Sequence, residues 1–213
     1  MGASDFSKLP HIGESVRRKE DYRFLTGAGQ YTDDIVLAAQ SFAVFVRSPH
    51  AHARVVSINS DAAKAAPGVI GVFTGADVAA DNINGLPCGW LITSTNGEPM
   101  KEPPHPILAQ GKVRYVGDGV AMVVAETLQQ ARDAAERVEV DYDVLPAVVN
   151  VQDAAAGAVA GAGLHDIAED NHCFKWAIGD KGAVESVFAN AAHVTKLDLV
   201  NNRLIPNAME PRA

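Results

Sequence analysis

The sequence is poor in the residues that build several common protein classes. It has two cysteines, Cys88 and Cys173, in 213 residues. A disulfide framework is not built from one such pair in a chain this long, so both are expected to be free structural thiols in a reducing compartment. Aromatic residues make up 6% of the chain. No run of apolar residues approaches the ~18 needed for a membrane helix. Basic residues are short as well: 18 Lys and Arg stand against 26 Asp and Glu, giving a net charge of −8. Such a chain repels a phosphate backbone, which argues against nucleic-acid binding. Met1–Pro10 contains Asp5 and Lys8 and has no apolar core, so it does not read as a secretory leader. The expectation is a cytoplasmic protein with no membrane insertion and no nucleic-acid partner.

What is present is ordinary for a globular protein, with 47% hydrophobic and 21% charged residues. Phe42–Val46 is a continuous apolar run closed by Arg47-Ser48-Pro49, which predicts a strand buried on both faces. Val55, Val56 and Ile58 predict a second strand. Ser60-Asp61 offers an N-cap to a short helix that Pro67-Gly68 stops. Val69–Thr74 predicts a third strand ending in the turn Thr74-Gly75-Ala76-Asp77. Lys112–Val116 and Val120–Ala125 read as strands around Gly117-Asp118-Gly119. Thr127 should cap a helix whose apolar face is Leu128, Ala131, Ala134, Ala135 and Val138. Val138–Tyr142 alternates as a half-buried strand, Ala183–Ala191 predicts a helix, and Val194–Val200 a strand. Between them, residues 81–111 hold five prolines and three internal glycines. So long a segment without regular structure is expected to be functional, mobile or held at an interface. Ala154–Gly163, almost all Ala, Gly and Val, reads as a linker.

The candidate chemistry is sparse. His50-Ala51-His52 could set two imidazoles on one side of an extended segment, but no Cys, Asp or Glu lies near at ligand spacing, so a packed or hydrogen-bonded role is expected. His172-Cys173 is weaker, since neighbours on a strand face opposite ways. Gly27-Ala28-Gly29 lacks the third glycine of a dinucleotide loop, and Gly111-Lys112 lacks the rest of a phosphate loop. Asp33-Asp34 suits a turn, and Asp141 and Asp143 alternate toward solvent, so neither pair reads as acid–base machinery. Nothing resembles a nucleophile elbow. On chemistry alone the chain is a mixed α and β protein.

The order of its motifs says more. Gly13–Arg18, Leu25-Thr26-Gly27 and Tyr31–Ile35 resemble the start of the molybdopterin-binding large subunit of the xanthine dehydrogenase and aldehyde oxidase family. Arg47-Ser48-Pro49-His50-Ala51-His52-Ala53 resembles that family's hammerhead domain, as do Pro67-Gly68-Val69, Val113–Gly117, Val123–Thr127, Val140-Asp141-Tyr142 and Leu145-Pro146. Gly179-Asp180 resembles the following segment, and Asn207–Arg212 the opening of the first molybdopterin-binding domain. The Arg-Ser-Pro-His form and the Met-Glu-Pro-Arg motif are most similar to the carbon monoxide dehydrogenase-like branch. One departure is Gly119, where many relatives carry proline.

The resemblance implies an α+β fold, with a mixed-sheet α/β-hammerhead domain followed by a truncated start of the molybdopterin-binding domain. Its domain plan is an extension over 1–24, the hammerhead over 25–147, an Ala/Gly-rich linker over 148–164 and the incomplete next domain over 165–213. The implied activity is that of a molybdenum hydroxylase, which adds a water-derived oxygen to aldehydes, N-heterocycles or carbon monoxide. Electrons would pass to iron–sulfur and FAD subunits or domains, and the remainder of the large subunit would be a further partner. The family's Gly-Gly-Phe-Gly loop, its pterin-contacting glutamine and its Gly-x-Gly-Glu segment have no counterpart here; no two glycines are even adjacent. No catalytic, cofactor-binding or metal-ligating residue is therefore carried over. The molybdenum–pterin cofactor is expected in the complete enzyme and not on this chain alone. The other reading is a stand-alone, non-catalytic hammerhead module that docks on redox partners.

Overall fold

Valine and alanine do most of the packing, and their positions set the sheets. A computed structural model describes residues 14, 15, 17–156, 163–201, 204 and 205. The chain divides into two compact units, one of residues 1–38 with 198–213 and one of residues 39–197. In the smaller unit, helix α1 (Asp21–Leu25) is followed by a 3-10 turn at Thr32–Asp34. The Phe24 and Tyr31 rings stack with centroids 5.5 Å apart. Asp34 closes its turn by accepting the Tyr31 N–H at 2.8 Å, the local role expected of Asp33-Asp34.

The larger unit carries the sheets. Strands β1 (Phe42–Arg47), β2 (Ala53–Asn59), β3 (Val69–Thr74), β4 (Lys112–Val113), β5 (Gly119–Ala125) and β6 (Glu139–Val144) form two three-stranded sheets. Their orders are β1-β5-β3 and β4-β2-β6. This is the expected α+β hammerhead class, with one correction. Every pairing is antiparallel, so the sheets are not mixed. The resemblance implied a mixed sheet, but among the described residues β5 inserts between β1 and β3 and runs against both.

The helices follow local rules. Helix α4 (Leu128–Ala135) begins at Thr127, whose Oγ1 accepts the Gln130 N–H at 3.2 Å. Ala131, Ala134 and Val138 are buried while Leu128 is 39% exposed, so the apolar stripe ends one turn short of the prediction. Helix α2 (Asp61–Lys64) follows Ser60, but the Asn59 side chain, not Ser60, takes the Asp61 N–H at 3.2 Å. The turn predicted at Thr74–Asp77 is instead the start of helix α3 (Gly75–Ala80). The Asp77 carboxylate accepts both the N–H and the O–H of Thr74, at 2.7 and 2.8 Å, and two satisfied donors turn a loop signal into a helix start. These bonds also hold the Asp77 carboxyl below the usual carboxylate range.

The main core cluster joins Val72, Ala121 and Val123 of the first sheet to Ala63 and Ala66 around α2, and to Ala134 and Val138 around α4. A second cluster is built on Ala53, Ala109, Val113 and Val120. Burying a side chain such as Val123, fully inaccessible here, stabilises by roughly 1.5–3 kcal/mol. The small side chains let helix and sheet approach closely. β1 departs from expectation: it alternates half-buried and exposed residues, with Phe45 40% exposed, because it is an edge strand covered on one face. Helix α5 (Val151–Ala156) occupies the first part of the Ala/Gly-rich segment, and residues 157–162 lie outside the described ones. Helix α6 (Lys181–Asn190) starts where Asp180 Oδ1 accepts the Ala183 N–H at 2.9 Å. No strand forms at Val194–Val200. A strand needs a ladder partner, and none of the described residues supplies one.

Candidate functional site

Three of the motifs singled out in the sequence fold onto one another. The Arg47–Ala53 turn lies against the Gly117-Asp118 turn. Arg47 Nη1 donates to the Gly117 carbonyl at 2.8 Å, Ser48 N–H to the Asp118 carbonyl and Gly117 N–H to the Ser48 carbonyl, both at 2.8 Å. Gly117 sits at φ +91°, where a side chain would be strained. Ser48 is buried, and its hydroxyl bonds both the N–H and the carbonyl of His50 at 3.0 Å. The third motif closes the knot: Leu145 N–H donates to the His52 carbonyl at 2.9 Å, and the His52 Nδ1–H to the Pro146 carbonyl at 2.7 Å. The His50 ring packs edge-on against Tyr142 at 5.0 Å. Burial pushes the Tyr142 phenol up, the Ser48 hydroxyl offsets part of that and Asp118 adds to it.

His50 and His52 therefore serve packing and hydrogen bonding, as expected. His52 is 1% exposed, and its Nε2 is buried without a hydrogen-bond partner among the described residues. Because a carbonyl oxygen only accepts, the His52 ring nitrogen that faces Pro146 must be a donor, and this bond fixes the ring's orientation.

Beside the knot lies a cleft of about 160 Å³ lined by His105, Arg114, Tyr115, Asp118 and His165 among others. Arg114 is held from both ends. Its N–H donates to Asp118 Oδ2 at 3.0 Å, its Nε to the Leu164 carbonyl at 3.0 Å and its Nη1 to the Lys112 carbonyl at 3.2 Å. Tyr115 is pushed up by burial and then by Asp118. His165 is pushed below its ordinary value by burial first, and then by the nearby charges of Arg114 and Lys112. Its Nδ1 is buried without a hydrogen-bond partner among the described residues.

His165 belongs to a clasp that sequence reasoning missed. Residues 163–175 run back along the Pro-rich segment. Lys112 Nζ meets Asp166 at 3.1 Å and Lys101 Nζ meets Asp170 at 3.2 Å. Thr95 N–H donates to the Lys175 carbonyl at 2.8 Å and Lys101 N–H to the Cys173 carbonyl at 2.9 Å. The segment expected to be mobile or held by another chain is thus held by this one. Two charge pairs about sixty residues apart leave no periodic signal in a sequence.

The remaining candidates stay apart. Cys88 is exposed and Cys173 half-buried, both free. His172 turns its Nδ1 to the Asp170 carbonyl at 3.0 Å. Gly27 and Gly111 take positive φ at turns, and the Gly111 carbonyl accepts the Val55 N–H. Asp143 pairs with Arg54 at 2.8 Å.

Among the described residues, no three His, Cys, Asp or Glu side chains converge as a metal site. The cleft at the knot falls below the roughly 300 Å³ at which ligand pockets begin. A wider groove of about 410 Å³ is lined by aliphatic residues such as Val56, Ile58 and Ala79 together with Ser57, Thr74 and Gln110. An open depression of about 510 Å³ lies along the clasp at Lys101, Asp170 and His172, whose charges already pair with one another. These residues do not fit a molybdenum–pterin group. What the arrangement does is mechanical: it locks three chain reversals into one rigid corner.

The same motifs carry the kinship. Residues 26–146 match the family described as aldehyde oxidase and xanthine dehydrogenase, a/b hammerhead domain. The chain belongs to that family. The match takes in the whole knot and ends at Pro146, whose carbonyl binds His52. Among curated relatives, the carbon monoxide dehydrogenase large chain of Afipia carboxidovorans is 37% identical over 95% of this chain and 25% of its own length. The 6-hydroxypseudooxynicotine dehydrogenase complex subunit gamma of Paenarthrobacter nicotinovorans is 35% identical over 100% of this chain and 26% of its own. Among solved structures, a Cu,Mo-CO dehydrogenase superposes with a TM-score of 0.63 at 36% identity, over 88% of this chain and 23% of that one. Quinoline 2-oxidoreductase from Pseudomonas putida 86 gives 0.54 at 41% identity, over 70% and 18%. This chain therefore spans about a quarter of the length of the curated relatives it matches. Of the sequence motifs, Gly13, Val16 and Asn207–Arg212 lie outside the described residues.

Proposed function

We propose that this chain supplies the hammerhead-bearing, N-terminal part of the large subunit of a molybdenum hydroxylase. The observation that carries this is the hammerhead match over 26–146, with the chain aligned almost end to end on a quarter of a carbon monoxide dehydrogenase large chain. Its substrate class is an aldehyde, an N-heterocycle or carbon monoxide, as the names of its relatives suggest. The reaction adds an oxygen from water to carbon and releases two protons and two electrons.

In this reading the rest of the large subunit carries the molybdenum–pterin cofactor, and iron–sulfur and FAD subunits take the electrons. The hammerhead occupies 25–147, after an extension over 1–24 and before a connector over 148–164. Residues 165–213 begin the next domain, with the clasp fastening its first part to the hammerhead. The two free cysteines suit a cytoplasmic enzyme. No described helix is long and apolar enough to cross a membrane.

The test is complementation. The chain is co-expressed with the large-subunit remainder and the small subunits of a carbon monoxide dehydrogenase or quinoline oxidoreductase. Dye reduction by the cognate substrate should depend on this chain. A stable complex without turnover, or no complex at all, counts against the enzyme reading, and the former favours a docking module.

A further inference from the structure

The first sheet is covered on one face. Successive residues of a strand point to opposite faces, and the register is regular across the middle of all three strands. Val44, Val123 and Val72 stand opposite one another, as do Val46, Ala121 and Thr74. On that side Val72, Ala121 and Val123 are buried in the cluster that α2 and α4 complete. The alternate residues face away. Phe45, Met122 and Phe73 form one row across the sheet, and Ala43, Val124 and Gly71 the next. The bulges, between Val46 and Arg47 and between Val69 and Gly71, lie at the ends of this block and do not interrupt it. Phe45 is 40% and Phe73 42% exposed, so the two rings lie open on either side of a half-buried Met122.

Two features suit this face to a permanent contact. A Cβ at Gly71 would stand 2.9 Å from two atoms of the Phe73 ring, so the missing side chain lets that ring lie along the sheet. None of the six residues is charged or polar, in a chain of net charge −8. Arg47 stands at one corner, its guanidinium 5.6 Å from the Phe45 ring centre. Aromatic rings and methionine without Lys, Glu or Asp are the make-up of an interface core, and surfaces that apolar belong to obligate contacts. The alignment supplies the occupant. This chain lies almost end to end on a quarter of a carbon monoxide dehydrogenase large chain, and it superposes on 23% of a solved one. The larger part of each relative's polypeptide is outside the matched share, as a covalently joined and therefore permanent neighbour. We propose that the Phe45–Met122–Phe73 face seats the remainder of the large subunit. The proposal rests on the reading of this chain as the N-terminal part of that subunit.

The test is photo-crosslinking in the complex purified from the cells that make this chain, with Phe45 or Phe73 replaced in turn by p-benzoylphenylalanine. That residue keeps the phenyl ring, so the sheet is preserved. Arg132, exposed on α4 at the covered side of the sheet, is the control position. Mass spectrometry should find crosslinks from positions 45 and 73 to peptides of the large-subunit remainder, in roughly tenfold higher yield than from position 132. Crosslinks to an iron–sulfur or FAD subunit, or to peptides within residues 1–213, overturn the proposal and leave the enzyme reading standing. So does a yield no higher than at position 132. A complex that contains no such remainder overturns both.

Discussion

Replacing Gly75 with alanine tests how the Pro-rich segment is pinned. Gly75 opens α3 and is buried. A Cβ built there would overlap the Ala109 carbonyl oxygen and stand 2.8 Å from its carbon. That backbone cannot yield freely, because Ala109 N–H donates to the Gly119 carbonyl at 2.7 Å and Ala109 belongs to the second core cluster. Alanine in a helix normally gains up to about 1 kcal/mol over glycine. Overpacking against fixed backbone costs roughly 1–3 kcal/mol, so Gly75→Ala should lose about 1–2 kcal/mol net. Equilibrium urea unfolding followed by circular dichroism measures it, with Gly89→Ala as control. Gly89 has no atom within 4 Å of a built Cβ and no positive φ, so that change should stay within about 0.5 kcal/mol. A Gly75→Ala variant as stable as the parent, or more so, would refute the claim that Ala109 is fixed against α3.

Thr127→Ala removes the cap of α4 and should cost about 1 kcal/mol in the same assay. Val123→Ala opens a cavity at a fully buried site and should cost about 2 kcal/mol from lost burial and packing. His165 should make the protein acid-sensitive. Its imidazole is held below the ordinary range in the folded state, so the unfolded chain binds that proton first. Stability is therefore full above about pH 6.5 and falls as pH drops through that value, and His165→Gln should flatten the urea-midpoint profile there. Asp166→Asn removes the Lys112 ion pair, and hydrogen exchange at the Thr95 and Lys101 amides, which bond to the clasp, should quicken while β5 stays protected.

Much of the fold was legible because its signals are local. Val69–Thr74 matches β3 residue for residue, and Thr127 caps α4 as its spacing requires. What failed depends on partners distant in sequence. Val194–Val200 has strand composition but no ladder, and the Thr74 turn became a helix once Asp77 satisfied its donors. Sheet direction was misjudged because β5, some fifty residues beyond β3, takes the central place. The motifs marked the right residues, but not that Arg47, Gly117 and Pro146 would converge on one corner. The clasp was illegible, since the Lys112–Asp166 and Lys101–Asp170 pairs exist only after the chain has folded back.

The most direct test of the account is elemental and flavin analysis of this chain purified, through an affinity tag on its chromosomal gene, from the cells that make it. The account predicts that molybdenum, iron and FAD co-purify in fixed ratio with the chain only when the remainder of a large subunit is present, and that the chain recovered alone from an overexpressing strain holds no molybdenum. Stoichiometric molybdenum on the isolated chain, or a native preparation free of molybdenum, iron and flavin, would contradict it.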